Sequence, residues 1–134
     1  MSQSMPHSLD AEREVLGTVL VDPGLSSLFL AHSITAESFY HGSHRDIARA
    51  VLGMASSGEP IDEVSLKVTM DRSGTWTRQT WLILASLMEK ASVSTSLPYY
   101  MDLVLEYETK RKLANYGMDI SRAAHNGRQL RRRW

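Results

Sequence analysis

The sequence predicts an all-α protein in which a compact bundle of short helices is followed by one long C-terminal helix. Three observations predict this class. Apolar residues recur at helical spacing along most of the 134-residue chain. Capping residues and glycine or proline stops divide the chain into helix-sized segments, and no stretch sustains the period-two alternation of a β-strand. The length suffices for one domain with one hydrophobic core.

Caps and stops define the first three helices. Ser8 can cap a helix over about 8–21, and Asp22-Pro23-Gly24 stops it. A second helix follows over about 24–32, and Thr35 caps a short turn over 36–40. A third helix over about 43–56 ends at residues 57–60, where Gly58 supplies a left-handed cap.

The later segments predict three further helices. Asp62 begins a helix that closes at Ser73-Gly74, with an expected apolar face of Leu66, Val64, Val68 and Met70. The helix over 77–91 carries an expected apolar stripe of Trp81, Leu84, Ala85, Leu87 and Met88. The last helix opens at Leu97-Pro98 and runs to about 124, a length of about 40 Å. Gly117 interrupts it at a cost of roughly 1 kcal/mol relative to alanine.

These segments predict the organisation of the chain. Residues 1–7 form a flexible N-terminus and residues 8–96 a helical globular body. Residues 97–125 form the long helix of a partial helical hairpin. Residues 126–134 are either a basic tail or a truncated second hairpin helix.

The charge distribution argues against nucleic-acid binding by the body. The chain has 15 basic and 15 acidic residues, but residues 1–127 hold eleven basic and fifteen acidic ones. Arg128, Arg131, Arg132 and Arg133 restore neutrality at the C-terminus. The body is therefore mildly acidic and lacks the basic footprint of a nucleic-acid binder. The arginine tail could touch phosphate, although such runs are more often solvated.

Other features of the composition indicate a cytoplasmic protein with no membrane partner. The sequence contains no cysteine, which excludes disulfides and thiolate metal sites and fits a reducing compartment. The first residues lack the basic and apolar segments of a signal peptide. The longest apolar runs, such as residues 82–85, are too short to span a bilayer.

The absent motifs argue against an enzyme. The sequence has no Gly-x-x-x-x-Gly-Lys-Ser/Thr and therefore no P-loop for ATP hydrolysis. It also has no Gly-x-Gly-x-x-Gly and no Gly-x-Ser-x-Gly. No catalytic residue and no cofactor is predicted.

Three groups of residues have both a chemical and a structural interpretation. His41 and His44, with His32 nearby, have a spacing that suits a metal ion. We expect instead that His41 is a loop residue and that His44 is a helix-start residue with a local hydrogen bond, so no metal site is predicted. Paired carboxylates can perform acid–base catalysis, but helix dipoles or solvated faces suffice for these pairs: Glu12/Glu14, Asp62/Glu63 and Glu106/Glu108. Aromatic side chains could stack bases, but the mixed charge around them favours core or protein-interface packing; they are Trp76, Trp81, Tyr99, Tyr100, Tyr107 and Tyr116.

The last helix is apolar on more than one side. One stripe holds Tyr100, Leu103, Val104 and Tyr107, and continues at Leu113, Tyr116 and Ile120, whereas Tyr99, Met101, Leu105 and Met118 fall off it. Such a helix needs a second burial surface, which is either a wide core or a partner helix from another chain. We favour the partner helix. The candidate pairing face is Leu103, Leu105, Tyr107, Leu113, Tyr116 and Ile120, with Glu108 and Arg111 at its rim.

Four motifs together resemble the N-terminal domain of DnaB-type replicative DNA helicases, over about residues 6–125. The first is Pro6-His7-Ser8-Leu9-Asp10-Ala11-Glu12-x-x-Val15-Leu16-Gly17 followed by Asp22-Pro23. The others are Ile34-Thr35-x-Glu37-x-Phe39-Tyr40-x-x-x-His44-Arg45-x-Ile47, Gly58-Glu59-Pro60-Ile61-Asp62-x-Val64-x-Leu66 and Ser94-Thr95-Ser96-x-x-x-Tyr100-x-x-x-Val104. The chain departs from the family at residues 76–81, where a glycine pair is usual, and in ending at Trp134 before a second hairpin helix is complete.

The resemblance implies an interaction module without a motor. The long helix would pair with its counterpart in a neighbouring subunit, and six domains would form a collar that receives the primase C-terminal domain. Helicase loaders or phage proteins would also act on such an assembly. The chain would be a domain cut from a larger ATP-dependent helicase. Alternatively, it would be a free-standing phage homologue that regulates a host helicase or primase by mimicry, or a small nucleic-acid binder using its arginine tail.

Overall fold

The computed structural model describes residues 4–91 and 96–126, and all of its regular structure within these ranges is helical. The predicted all-α class and the long last helix are confirmed. No helix in the described ranges is long and apolar enough to cross a membrane. The helices are α1 (Leu9–Val21), α2 (Ser27–Ala31), α3 (Gly42–Ser56), α4 (Glu63–Arg72), α5 (Arg78–Lys90) and α6 (Leu97–His125).

Side-chain caps start the helices where the sequence predicts them. The Ser8 hydroxyl accepts a hydrogen bond from the Ala11 N–H at 3.2 Å and begins α1. The Asp62 carboxylate accepts from the Ser65 N–H at 2.8 Å and begins α4. Hydrogen bonds from the Ser65 backbone and side chain hold the pKa of the Asp62 carboxyl below its ordinary value. Gly58, after α3, has a φ of 70°, the left-handed conformation that its predicted cap requires.

The core is built around α1, which packs against α3, α5 and α6. Gly17 lies at the contact between α1 and α5. A Cβ there would lie only 3.0 Å from the Leu87 carbonyl oxygen, so a larger residue would require α5 to shift by a few tenths of an ångström. The largest fully buried apolar side chains come from all six helices and the turns beside them: Leu16, Phe29, Ile34, Phe39, Ile47, Met54, Leu66, Met70, Leu84 and Met101.

The segment predicted as one helix over 24–32 is two elements. A 3-10 turn over Pro23–Ser26 runs into the short helix α2. A second 3-10 turn, Ala36–Ser38, lies where the Thr35-capped turn was predicted. Its Thr35 N–H donates to the Ser38 hydroxyl at 3.0 Å, so both residues hold the turn.

The predicted apolar faces of α4 and α5 are partly wrong. Leu66 and Met70 are buried, but Val64 is 72% exposed and Val68 is also exposed. Residues 66 and 70 are four apart and share one helix face, whereas 64 and 68 lie about 200° around the axis from it. In α5, Leu84 and Leu87 are buried, whereas Trp81 and Ala85 lie on the exposed side.

Two predicted segments reach beyond the described residues. The predicted basic tail or second hairpin helix lies outside them from residue 127 onwards, as do Ser94 and Thr95 of the last motif. At the other end, Pro6 and His7 of the predicted flexible N-terminus contact the body, through the Arg111 guanidinium and the Tyr40 ring. The division into a body and a hairpin helix stays a prediction.

Candidate protein-interaction surfaces

The helix α6 divides into an inner half, residues 97–111, and an outer half, residues 112–125. The inner half is held by the core. Leu97, Met101 and Val104 are buried, and the half-buried side chains packed against the core include Leu103 and Leu105. The body therefore covers one face of the inner half, whereas Tyr99 on the same half is 63% exposed.

Arg111 joins the inner half to two distant parts of the chain. Its guanidinium donates to the Pro6 carbonyl oxygen at 3.0 Å and to the Ser38 carbonyl oxygen at 2.9 Å. A longer bond of 3.4 Å reaches the Glu37 carbonyl oxygen. The guanidinium also lies 5.8 Å from the centre of the Tyr40 ring, on which His7 stacks at 4.0 Å. Arg111 thus fixes the N-terminal segment and the 36–38 turn to α6.

Glu108 makes a second connection from the same face of α6. Its carboxylate accepts from the Ser38 hydroxyl at 2.7 Å and lies 3.3 Å from the Lys112 ammonium. Residues 104, 108 and 111 follow the i, i+4, i+7 spacing of one helix face. Glu108 and Arg111, proposed as rim residues of a pairing face, therefore make contacts within this chain.

The outer half of α6 exposes its large apolar side chains. Leu113 is 63% exposed, Tyr116 is 60% exposed and Ile120 is 70% exposed. They lie on the side of α6 away from Val104. At about 100° per residue, Leu113 and Ile120 lie roughly 180° and 160° around the axis from Val104, and Tyr116 about 120°. The structure therefore splits the eight candidate residues. Leu113, Tyr116 and Ile120 remain free, Tyr107 is half-buried, and Leu103, Leu105, Glu108 and Arg111 contact the body.

A buried carboxylate organises the body beneath α6. The Glu12 side chain is buried, with 2% of the residue exposed. It accepts hydrogen bonds from the Tyr40 N–H at 2.7 Å, the His41 N–H at 3.3 Å and the His44 Nδ1 at 2.8 Å. Because an ionised carboxylate only accepts, the His44 Nδ1 must carry the donated proton. The four groups join α1 to the start of α3.

The pKa of Glu12 is set by two opposing effects. Burial raises it, but the hydrogen bonds from His44 and from the Tyr40 and His41 backbone, with the charge of His44, outweigh burial and hold the pKa below its ordinary value. The expectations for Glu12 and His44 were partly wrong. Glu12 lies in the first turn of α1 but is buried rather than solvated. His44 lies at the start of α3 but bonds across 32 positions of sequence rather than locally.

A sequence signal for the buried Glu12 does exist. Residues 12, 15, 16 and 19 have the spacing of one helix face, and Val15, Leu16 and Val19 are all buried. The carboxylate thus sits in the middle of an apolar stripe. The contacts of Arg111 have no comparable signal, because their acceptors are backbone carbonyl groups, which any residue carries.

The geometry also bears on the metal site that the spacing of His41 and His44 would suit. Within residues 4–91 and 96–126, no three His, Asp or Glu side chains are placed together to hold a metal ion. The His41 Nδ1 accepts from the Ser43 N–H at 3.1 Å and so caps α3. Burial and the charge of His44 hold the pKa of His41 below its ordinary value.

The comparison with protein families gives a match over most of the chain. The model described as DnaB-like helicase N terminal domain matches residues 4–106. Among curated proteins, the replicative DNA helicase DnaB of Geobacillus stearothermophilus is 30% identical over 118 residues, which cover 87% of this chain and 26% of that protein. The DnaB of Nostoc sp. is 28% identical over 116 residues, covering 86% of this chain and 13% of the relative. The chain thus spans about a quarter or less of the length of these two relatives.

Solved structures show the same fold. The N-terminal domain of DnaB helicase from Mycobacterium tuberculosis superposes with a TM-score of 0.84 at 26% identity, over 94% of this chain and 90% of that one. The corresponding domain from Helicobacter pylori, described with its interactions with primase, gives a TM-score of 0.75 at 18% identity over 87% of this chain and 90% of that one. The chain therefore belongs to the family of DnaB-like helicase N-terminal domains.

Proposed function

We propose that this chain is the interaction domain of a replicative DNA helicase, which pairs with a second copy through the outer half of α6 and offers a docking surface to a primase. The observation that carries the pairing is the exposure of Leu113, Tyr116 and Ile120 on one helix face. The chain performs no bond-making step in this proposal. ATP-driven unwinding would belong to a motor elsewhere in a longer helicase.

The energetics favour covering this face. Full burial of one large apolar side chain contributes about 1.5–3 kcal/mol, and three such residues lie at positions 0, 3 and 7 of one stripe. Because these three side chains are exposed and do not belong to the core cluster, a partner helix can cover them without displacing the body. Association also has an entropic cost, so a dimer requires the stripe to be covered along its length.

The primase is proposed as partner from the fold that this domain shares with the Helicobacter pylori domain, whose interactions with primase are described. The primase C-terminal domain is the expected binding part. A helicase loader or a host helicase would be a second class of partner. We propose that all these contacts form in the cytoplasm.

Sedimentation of a charged variant tests the pairing. Leu113→Glu combined with Tyr116→Glu should reduce the dimer fraction at least tenfold while circular dichroism stays unchanged, because both side chains are solvent-exposed. The matched control is Asn115→Glu combined with Arg122→Gln, which makes the same charge change on other faces of the outer half. Equal masses for the Leu113/Tyr116 variant and the parent protein would refute the pairing.

Mixing experiments test the partners. The chain should form a complex with a primase C-terminal domain, seen as a shift in gel filtration. A free-standing regulator would instead bind an intact host helicase and reduce its unwinding rate. Absence of a primase complex at 100-fold excess would remove the primase from the proposal.

A further inference from the structure

The structure contains a second apolar surface, on α4 and α5 rather than on α6. A groove of about 620 Å³ lies between these helices. Val64, 72% exposed, and Trp81, 45% exposed, line it. Trp76 also lines it and packs against the core cluster, which gives the groove a fixed aromatic wall.

Two cations line this groove without forming an ion pair among the described residues. Lys67 comes from α4 and Arg78 from the first turn of α5. Among the described residues, neither has a carboxylate oxygen within 4.0 Å. One acidic residue, Glu63, lines the groove, so its wall carries more positive than negative charge on a body that is acidic as a whole.

We propose that the groove binds an acidic segment of a partner protein that also carries a large apolar side chain. The apolar side chain would pack between Trp76, Trp81 and Val64, where two aromatic rings and a branched side chain offer a contact surface. Carboxylates of the same segment would pair with Lys67 and Arg78 across the groove. This surface is separate from the outer half of α6, and the proposal does not rest on α6 pairing.

The groove favours a peptide over a nucleic-acid strand. Tryptophan rings can stack bases, but a strand binder needs a basic groove that tracks successive phosphates. Here two cations share the wall with Glu63, and aliphatic Val64 occupies the rim. A single peptide side chain flanked by carboxylates matches this arrangement.

A titration followed by NMR tests the proposal. The probe is a capped heptapeptide of alternating glutamate and leucine. The indole N–H signals of Trp76 and Trp81 should shift in a saturable manner, and the peptide with lysine in place of glutamate should bind at least tenfold more weakly. The variant Lys67→Glu combined with Arg78→Glu should lose at least tenfold in affinity, whereas the control Arg45→Glu combined with Lys90→Glu should bind as the parent protein does.

Several results would overturn this inference. They are no saturable shift up to millimolar peptide, equal affinity for the lysine peptide, and unchanged affinity of the Lys67/Arg78 variant. Tighter binding of a single-stranded oligonucleotide would assign the groove to nucleic acid instead. Because the readout is binding of a small probe, these outcomes are independent of the oligomeric state and of α6.

Discussion

The two halves of α6 both carry large apolar side chains but have different surroundings. The inner half buries Leu97, Met101 and Val104 and is fixed to the body by Arg111 and Glu108. The outer half exposes Leu113, Tyr116 and Ile120. Apolar periodicity therefore does not by itself show which part of a helix the body covers, because that depends on where the body ends. One continuous helix can serve as a core element over one half and as a contact surface over the other.

The largest expected effect concerns Glu12, the buried carboxylate of the body against which the inner half of α6 packs. Glu12→Ala removes the acceptor of three hydrogen bonds and leaves His44 and two backbone N–H groups without it. We expect a loss of about 3–5 kcal/mol in the free energy of unfolding, measured by urea denaturation. Glu14→Ala, on the same helix and half-buried, should cost less than about 1 kcal/mol. Similar losses for both variants would contradict the role of Glu12.

Acid should act on the same group with a smaller effect. The pKa of Glu12 is lowered in the folded chain, so its contribution is fully present above the ordinary glutamate pKa of about 4.3. It is lost as the pH falls from there through the lowered pKa, because the unfolded chain takes up the proton first. Denaturation between pH 6 and pH 2 should show a steeper fall for the parent protein than for Glu12→Gln. Parallel curves would show that Glu12 is not the group responsible.

Arg111 tests the attachment of the inner half directly. Arg111→Ala should lower the free energy of unfolding by about 1–2 kcal/mol, because the carbonyl groups of Pro6 and Ser38 lose a charged, half-buried hydrogen-bond donor. Lys112→Ala removes one ion pair whose lysine is exposed and should change stability by less than about 0.5 kcal/mol. Thermal denaturation separates the two. Equal effects would mean that Arg111 does not fasten α6.

The smallest effect concerns the glycine of the outer half. A Cβ at Gly117 would meet no atom within 4 Å, and the same holds for Gly53 in α3. Replacing either by alanine should stabilise the fold by up to about 1 kcal/mol through helix propensity. Only Gly117→Ala should also change the dimer fraction in sedimentation, since it lies beside Tyr116 and Ile120. A change caused by both variants would remove that link.

Local signals in the sequence predict the helices well. Ser8 and Asp62 cap α1 and α4 as expected, and Gly58 takes the left-handed conformation. Each of these features depends on residues within four positions of one another, so a short stretch of sequence is enough to predict it. The buried face of α4 was harder to predict from the sequence. Val64 and Val68 are as apolar as the buried residues, and only the position of α3 decides which side of α4 is covered.

The surfaces depend on distant contacts that local patterns do not contain. Glu12 is buried because groups 28 to 32 positions away provide its hydrogen bonds. Arg111 was expected at the rim of a pairing face between subunits, but its acceptors are backbone carbonyls of residues 6, 37 and 38 of the same chain. The stripe of Leu113, Tyr116 and Ile120 was visible in the sequence, whereas its separation from Leu103 and Leu105 required the position of the body.

The bond from Arg111 to the Pro6 carbonyl spans 105 positions of sequence. A chain emerging from the ribosome cannot form it until nearly the whole domain has been synthesised, so docking of α6 onto the N-terminal segment must be a late event in folding. The family match ends at residue 106. A fragment trimmed at that boundary would lack both Glu108 and Arg111, and its N-terminal segment would lose its anchor.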